Sequence, residues 1–212
     1  MLKNKHLGMA LRTLLACSVL VGITALVASR VVSDDTKGQP EMTKEQMEAQ
    51  KKMEEAGRPG PHHKHLDAIV GEWNCDSKFW MGPGEPMTAK ATASYKWILD
   101  GRFVQEEYNS EFEGKPFKGI GTFGYDNTTK KYSSTWIDNM STTLYVSSGT
   151  CDDSGKSFTF NGESPCSMTG KILKDRSEWK IISKDKHVFE MFKEGEDGKM
   201  MKVMEITYNR KA

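Results

Sequence analysis

Ala89-Lys90-Ala91-Thr92-Ala93-Ser94-Tyr95-Lys96-Trp97-Ile98-Leu99 decides the fold. Ala89, Ala91, Ala93, Tyr95, Trp97 and Leu99 share one parity, and Lys90, Thr92, Ser94 and Lys96 share the other. Successive side chains of an extended chain point to opposite faces, so the stretch reads as a strand with one buried face. The same alternation precedes it, with Trp73, Cys75, Ser77 and Phe79 set against Glu72, Asn74, Asp76 and Lys78. Turn signals then recur at short intervals: Gly82-Pro83-Gly84, Asp100-Gly101, Glu113-Gly114-Lys115-Pro116, Asp126-Asn127, Asp153-Ser154-Gly155 and Asp197-Gly198. Between them, segments 102–108, 117–125, 131–138, 142–151, 157–162, 172–183, 187–193 and 200–209 are rich in aromatic and β-branched residues. This is the spacing of a meander of about ten strands. No helical stretch separates the strands, which excludes a parallel sheet built from βαβ units. Closing a meander into a barrel removes its two exposed edges. The expected fold is therefore all-β, an antiparallel barrel.

Upstream the pattern differs. Residues 1–12 carry Lys3, Lys5 and Arg12, and Thr13–Ser29 (TLLACSVLVGITALVAS) holds no charge. A basic start, an apolar run and small residues at its end describe a secretory signal, with cleavage after Ser29 or Ser33. The run is also close to the ~18 residues of a spanning helix, so an uncleaved anchor stands as an alternative. Leu14-Leu15-Ala16-Cys17 resembles a lipobox, but most of the apolar run follows Cys17. All three readings export the domain to the periplasm or cell envelope, because the positive end stays inside. Residues 1–33 are thus a signal or anchor with an apolar helix, 34–61 a polar linker, and 62–212 the barrel. Within the linker, Thr43 and Gln46 match a capping box that opens a short helix over 43–56. His62, His63 and His65 form a histidine-rich tract at its end, without an acidic or cysteine partner at ligand spacing, so no dedicated metal site is expected.

Composition narrows the partners. With 30 basic and 29 acidic residues the net charge is +1, and no basic stripe is visible, which argues against nucleic acid. Contact with a membrane is expected only through an uncleaved N-terminal segment. Outside the leader lie Cys75, Cys151 and Cys166. None forms a C-x-x-C pair. Cys75 reads as a small apolar filler, while Cys151 and Cys166 flank a hairpin and a bridge between them stays open.

Several ordered blocks resemble a known family. They are Leu66-Asp67-Ala68-Ile69-Val70-Gly71-Glu72-Trp73, Phe79-Trp80-Met81-Gly82-Pro83-Gly84 and Leu99-Asp100-Gly101-Arg102-Phe103. Gly119–Asp126 (GIGTFGYD), Thr135–Thr142 (TWIDNMST), His187–Met191 (HVFEM) and Met204–Arg210 (MEITYNR) complete them. Together they are similar to the DUF1579 family, a bacterial family named for its unknown function. The resemblance implies a calycin-like, lipocalin-type barrel and no reaction. Gly71-Glu72-Trp73 resembles the Gly-x-Trp that opens the first lipocalin strand. In that superfamily a basic residue of the last strand lies over the Trp ring, and Arg210 is the matching position. A guanidinium on an indole face gains cation–π and stacking energy, so Trp73 and Arg210 are expected to be a structural pair.

The expected function is the binding of a small apolar or amphipathic molecule in a barrel cavity, since a barrel of this strand number leaves interior room. Trp80, Trp97, Phe103, Phe123, Tyr125, Trp136, Trp179 and Met191 are either cavity lining or core. Trp136-Ile137-Asp138-Asn139-Met140-Ser141-Thr142 sets an aromatic, a carboxylate and hydroxyls at a strand end, where a barrel meets a ligand; the alternative is a turn capped by Asp138 and Ser141. Charges within apolar strands are further candidates. Arg176 and Arg102 would be partners for Glu205 if it faced inward, whereas Glu190 is expected outside. The ligand-binding candidates are therefore Trp80, Trp97, Arg102, Tyr125, Trp136, Asp138, Ser141, Arg176 and Glu205. Catalysis has little support: there is no Gly-x-Ser-x-Gly and no His-Glu-x-x-His. An enzyme would have to draw on Asp138, Glu205 or His187. His187, beside Asp185 and Lys186, reads as an edge or turn histidine, with a haem ligand as the other possibility. A filled barrel with an apolar outer face, serving a structural or oligomerising role, is the third reading. No pattern names a cofactor or an oligomeric state.

Overall fold

The parity of the strand residues becomes the wall of a closed barrel in the computed structural model, which describes residues 42–166, 169–195 and 198–212. The leader and its apolar run lie outside the described residues. Ten antiparallel strands follow one another around the ring: β1 (Gly71–Phe79), β2 (Met87–Ile98), β3 (Phe103–Phe112), β4 (Lys115–Asp126), β5 (Lys131–Asp138), β6 (Tyr145–Cys151), β7 (Ser157–Pro165), β8 (Ile172–Ser183), β9 (Lys186–Glu194) and β10 (Met200–Arg210). Each pairs with its sequence neighbours, and β10 returns to β1 with Trp73 opposite Arg210 and Phe79 opposite Met204. No strand edge is left for pairing with another chain.

Before the barrel, α1 (Lys44–Ala56) is capped by Thr43, whose hydroxyl accepts from Gln46 N while Gln46 Oε1 accepts from Thr43 N. None of its residues is buried, so it is a solvated helix held by its own caps. The Gly-Pro-His tract behaves otherwise. Pro61 starts a short α2 (Pro61–Lys64) that runs into the 3-10 turn His65–Ala68. His63, Leu66 and Ile69 are buried, His62 stacks on Tyr125 at 4.5 Å, and His65 Nδ1 lies 2.7 Å from Tyr132 Oη. The histidines thus belong to a plug over one barrel end, not to a flexible spacer. Three imidazoles packing on tyrosines supply the apolar surface that the tract lacks in aliphatic residues.

The plug is locked by the expected structural pair. Arg210 Cζ lies 4.1 Å from the Trp73 ring. Its guanidinium donates to the carbonyls of Val70 (2.8 Å), Ala68 (3.2 Å) and Lys184 (2.8 Å), and Trp73 Nε1 donates to Ile69 O at 2.7 Å. A cation so placed satisfies carbonyls left unpaired at the end of a helical turn. Gly71 is required here: its φ is +128°, and a Cβ would stand 2.4 Å from Arg210 Nη1. Cys151 carries a free thiol. A bridge to Cys166 fails because Cys151 pairs with Phe158 at the start of β7, while Cys166 follows the far end of that strand.

Candidate functional site

Each turn joining an even strand to the next odd one lies at the plugged end, and the other connections form the opposite mouth. Below the mouth the interior divides in two. Near the plug, Trp73, Tyr95, Val104, Tyr132, Phe158, Trp179 and His187 are sealed at 0–2 % exposure. Toward the mouth, the inward-facing Phe117, Trp136, Tyr145, Met191 and Met204 stay only half-buried. That half of the wall is made of small residues: Ala89 and Ala91 on β2, Gly119 and Gly121 on β4, Ser147 on β6, Gly162 and Ser164 on β7. The glycines let larger neighbours lie flat along the wall. A Cβ on Gly119 would stand 2.2 Å from the Trp136 ring, and one on Gly162 would stand 2.7 Å from Tyr145 Oη. The Trp136 ring and the Tyr145 hydroxyl therefore lie close against the wall.

Two buried polar clusters lie in this interior. On β3, Glu106 is 3 % exposed, opposite Gly121, whose missing Cβ makes room for its carboxyl. Tyr208 Oη donates to Glu106 Oε1 at 3.4 Å, and Tyr95 Oη faces the same group without closing a hydrogen bond. Burial pushes the Glu106 pKa up to about 7 against the pull of the two tyrosine hydroxyls. Ser77 and Tyr108 bond each other at 2.6 Å one step nearer the mouth. The second cluster is on β7–β9. Ser164 Oγ donates to Asp175 Oδ2 at 2.6 Å and accepts from Lys193 Nζ at 3.0 Å, which stands 3.6 Å from Asp175 Oδ1. Burial also raises the Asp175 carboxyl above its usual range. The hydroxyl of Ser164 is thus held between a carboxylate acceptor and an ammonium donor.

The sequence-derived candidates scatter. Trp136 and Asp138 stand at the mouth, joined by Trp136 Nε1 donating to Asp138 Oδ2 at 3.0 Å. Asp138 Oδ1 also accepts from Met140 N and Ser141 N, so Ser141 belongs to a capped turn. Trp97 and Tyr125 lie at the plugged end, where Trp97 Nε1 donates to Asp67 Oδ1 at 2.9 Å. Arg102 sits in the β2–β3 turn beside Asp100. Trp80, Arg176 and Glu205 are outside the lumen. Lys202 lies over Trp80, Arg176 lies over Phe192, and Glu205 joins an outer ladder with Lys78, Lys202, Glu190 and Lys180. Strand parity put them there: Arg176 alternates with the inward Asp175 and Ser177, and Glu205 with the inward Met204 and Ile206. Of the aromatics read as lining or core, Trp179 is core and Phe103 faces out over Gly124. Phe123 and Met191 reach the lumen.

His187 is no edge histidine. It is 0 % exposed, stacked on Tyr208 at 4.1 Å and edge-on to Trp73 at 4.3 Å. Its Nδ1 accepts from Trp179 Nε1 at 2.8 Å, which places the proton of the neutral ring on Nε2. Burial and the Arg210 charge lower its pKa to about 3. Walled in on these sides, it offers no face to a haem. Asp138, Glu205 and His187 therefore occupy the mouth, the outer wall and the sealed floor, and do not converge as an acid/base set. Glu106 and Asp175 are the interior groups that residue-by-residue reading passed over; both share parity with inward neighbours, Val104 and Tyr108 for one, Ser177 and Trp179 for the other.

Known proteins agree on the architecture. The structure of Rv2717c from M. tuberculosis matches with a TM-score of 0.56 at 11 % identity, covering 73 % of this chain and all of that one. The S-type phycobiliprotein lyase CPES from Guillardia theta matches with a TM-score of 0.51 at 10 % identity, covering 75 % of this chain and 97 % of that one. At these identities the likeness is one of fold. No protein of curated function matches the sequence. The family described as "Protein of unknown function (DUF1579)" matches residues 58–210, nearly the whole barrel with its plug, and this chain belongs to it.

Proposed function

We propose that the domain binds a small amphipathic molecule in the mouth-side half of the barrel. The observation that carries this reading is the row of inward apolar side chains left half-buried toward the mouth, Phe117, Trp136, Met191 and Met204, above a buried floor. Burying the exposed apolar surface of Phe117, Trp136, Met191 and Met204 under a ligand gains about 25 cal/mol per Å². The lumen has the usual composition of a small-molecule site, apolar walls with few polar anchors. The basic, then apolar, N-terminal segment supports a domain acting outside the cytoplasm.

Native mass spectrometry of the chain purified from its own host tests the reading. The expected result is a retained mass of a few hundred daltons that is released on unfolding. Protein that is clean of small molecules and also takes up no added amphiphile would refute it.

A further inference from the structure

Among the described residues, no cation pairs with the buried carboxyl of Glu106. Asp175 has Lys193, and the outer Glu190 and Glu205 share Lys202. The groups that face Glu106 are Cys75 on β1, Tyr95 on β2, Tyr108 on β3 and Tyr208 on β10. All are neutral at pH 7, because burial raises the thiol and the three phenols above their usual ranges. Tyr208 makes only a long bond to Oε1, and Tyr95 Oη is buried without a partner. Ionising a carboxyl in such surroundings is costly, and a positive charge brought to it offsets that cost.

Aromatic rings stand between Glu106 and the mouth, with Tyr108 and its partner Ser77 both buried. Tyr108 lies two residues nearer the mouth than Glu106 on the same face of β3, and its ring is 6.1 Å from both Phe117 and Trp136. Gly119 and Gly121 on the adjacent strand keep the wall low, so that Trp136 and the Glu106 carboxyl both fit against it. Aromatic faces followed by an uncompensated carboxyl favour a cation that carries apolar bulk. A carboxylate ligand would set a second negative charge beside Glu106, and an alcohol would leave it with no counter-charge.

We infer that the lumen takes a lipophilic amine, its ammonium group on the Glu106 carboxylate and its hydrocarbon tail toward Phe117, Trp136 and the mouth. The inference rests on the small-molecule reading above and names the ligand class. Binding couples to a proton: the ammonium ion meets a protonated carboxyl, the ion pair forms, and one proton leaves to solvent.

The test compares n-octylamine, 1-octanol and octanoate on the full chain by titration calorimetry at pH 6 and pH 8.5. Octanol reports the lumen, and the difference between octylamine and octanol reports the anchor. The expected result is at least tenfold tighter binding of octylamine than of octanol, with octanoate weakest. Buffers of different ionisation enthalpy should show close to one proton released per octylamine at pH 6 and close to none at pH 8.5. Glu106→Gln should bring octylamine down to octanol's affinity and abolish the proton release at pH 6. Equal affinities with no proton released from the wild-type chain, a measurement needing no variant, overturn the anchor while leaving the lumen reading standing. Failure of all three probes overturns both.

Discussion

Two buried groups of this barrel titrate in opposite senses, and their near-cancellation can be exposed by one substitution. Glu106 is held at about 7 instead of 4.5, so the folded chain keeps a proton that the unfolded chain loses. Its contribution is complete below pH 4.5 and is lost as pH rises through 7. His187 is held at about 3 instead of 6.5, so the unfolded chain binds a proton that the folded one refuses. Its contribution is complete above pH 6.5 and is lost as pH falls toward 3. Each unit of pH inside a window is worth ~1.4 kcal/mol. The Glu106 window is therefore worth roughly 3 kcal/mol and the His187 window roughly 5 kcal/mol. Where the windows overlap, between pH 4.5 and 6.5, the two slopes offset one another.

Glu106→Gln removes one slope. Relative to wild type, the variant should gain roughly 3 kcal/mol between pH 4.5 and pH 7, read as a shift of the urea midpoint by on the order of 1–2 M. Taking the difference between variant and wild type cancels the carboxylates of the outer ladder, which Lys180, Lys202 and Lys78 hold low in both. His187→Gln should show the opposite sign, gaining relative to wild type as pH falls. A difference between Glu106→Gln and wild type that stays constant across this range would refute the buried, uncompensated carboxyl and with it the anchor.

Other outcomes follow from the packing. Arg210→Ala should cost about 3 kcal/mol, from three lost carbonyl hydrogen bonds and the indole contact. Arg210→Lys should recover little of it because an ammonium cannot fork to Val70 and Ala68; thermal melts decide, and a full recovery by Lys would reduce the clasp to a charge effect. Gly119→Ala should push Trp136 into the lumen, cost about 1–3 kcal/mol and weaken octanol binding, with altered tryptophan fluorescence as the structural check. Cys75, 1 % exposed with its thiol pKa raised by burial, should resist alkylation at pH 8 until the chain is unfolded; brisk labelling of the native protein would show that the β1 wall opens.

Period-two alternation carried most of the fold. Segments 131–138 and 172–183 coincide with β5 and β8. The plug was not legible, since Gly60-Pro61-His62-His63 has the composition of a linker and gains its burial only from Tyr125 and Tyr132 on distant strands. The site was legible in principle but hidden by residue type. Gln105-Glu106-Glu107 reads as solvated, and only counting parity from Val104 and Tyr108 turns Glu106 inward. The same count turns His187 inward with Phe189 and sends Arg176 and Glu205 outside. Side-chain chemistry drew attention to the wrong charges where geometry had already sorted them.

The pairing of Trp73 with Arg210 joins residues at opposite ends of the barrel sequence. Loop closure over such a separation is slow and must wait for the intervening strands. A chain still emerging from the ribosome has β1 through β9 but no ring, and both outer strands keep unsatisfied backbone groups. The clasp of Trp73, Arg210 and the Val70 carbonyl therefore acts as a completion signal, available only once β10 has joined the ring. Truncation at Asn209 should spare nearly every contact in the wall yet leave the ring without its fastening.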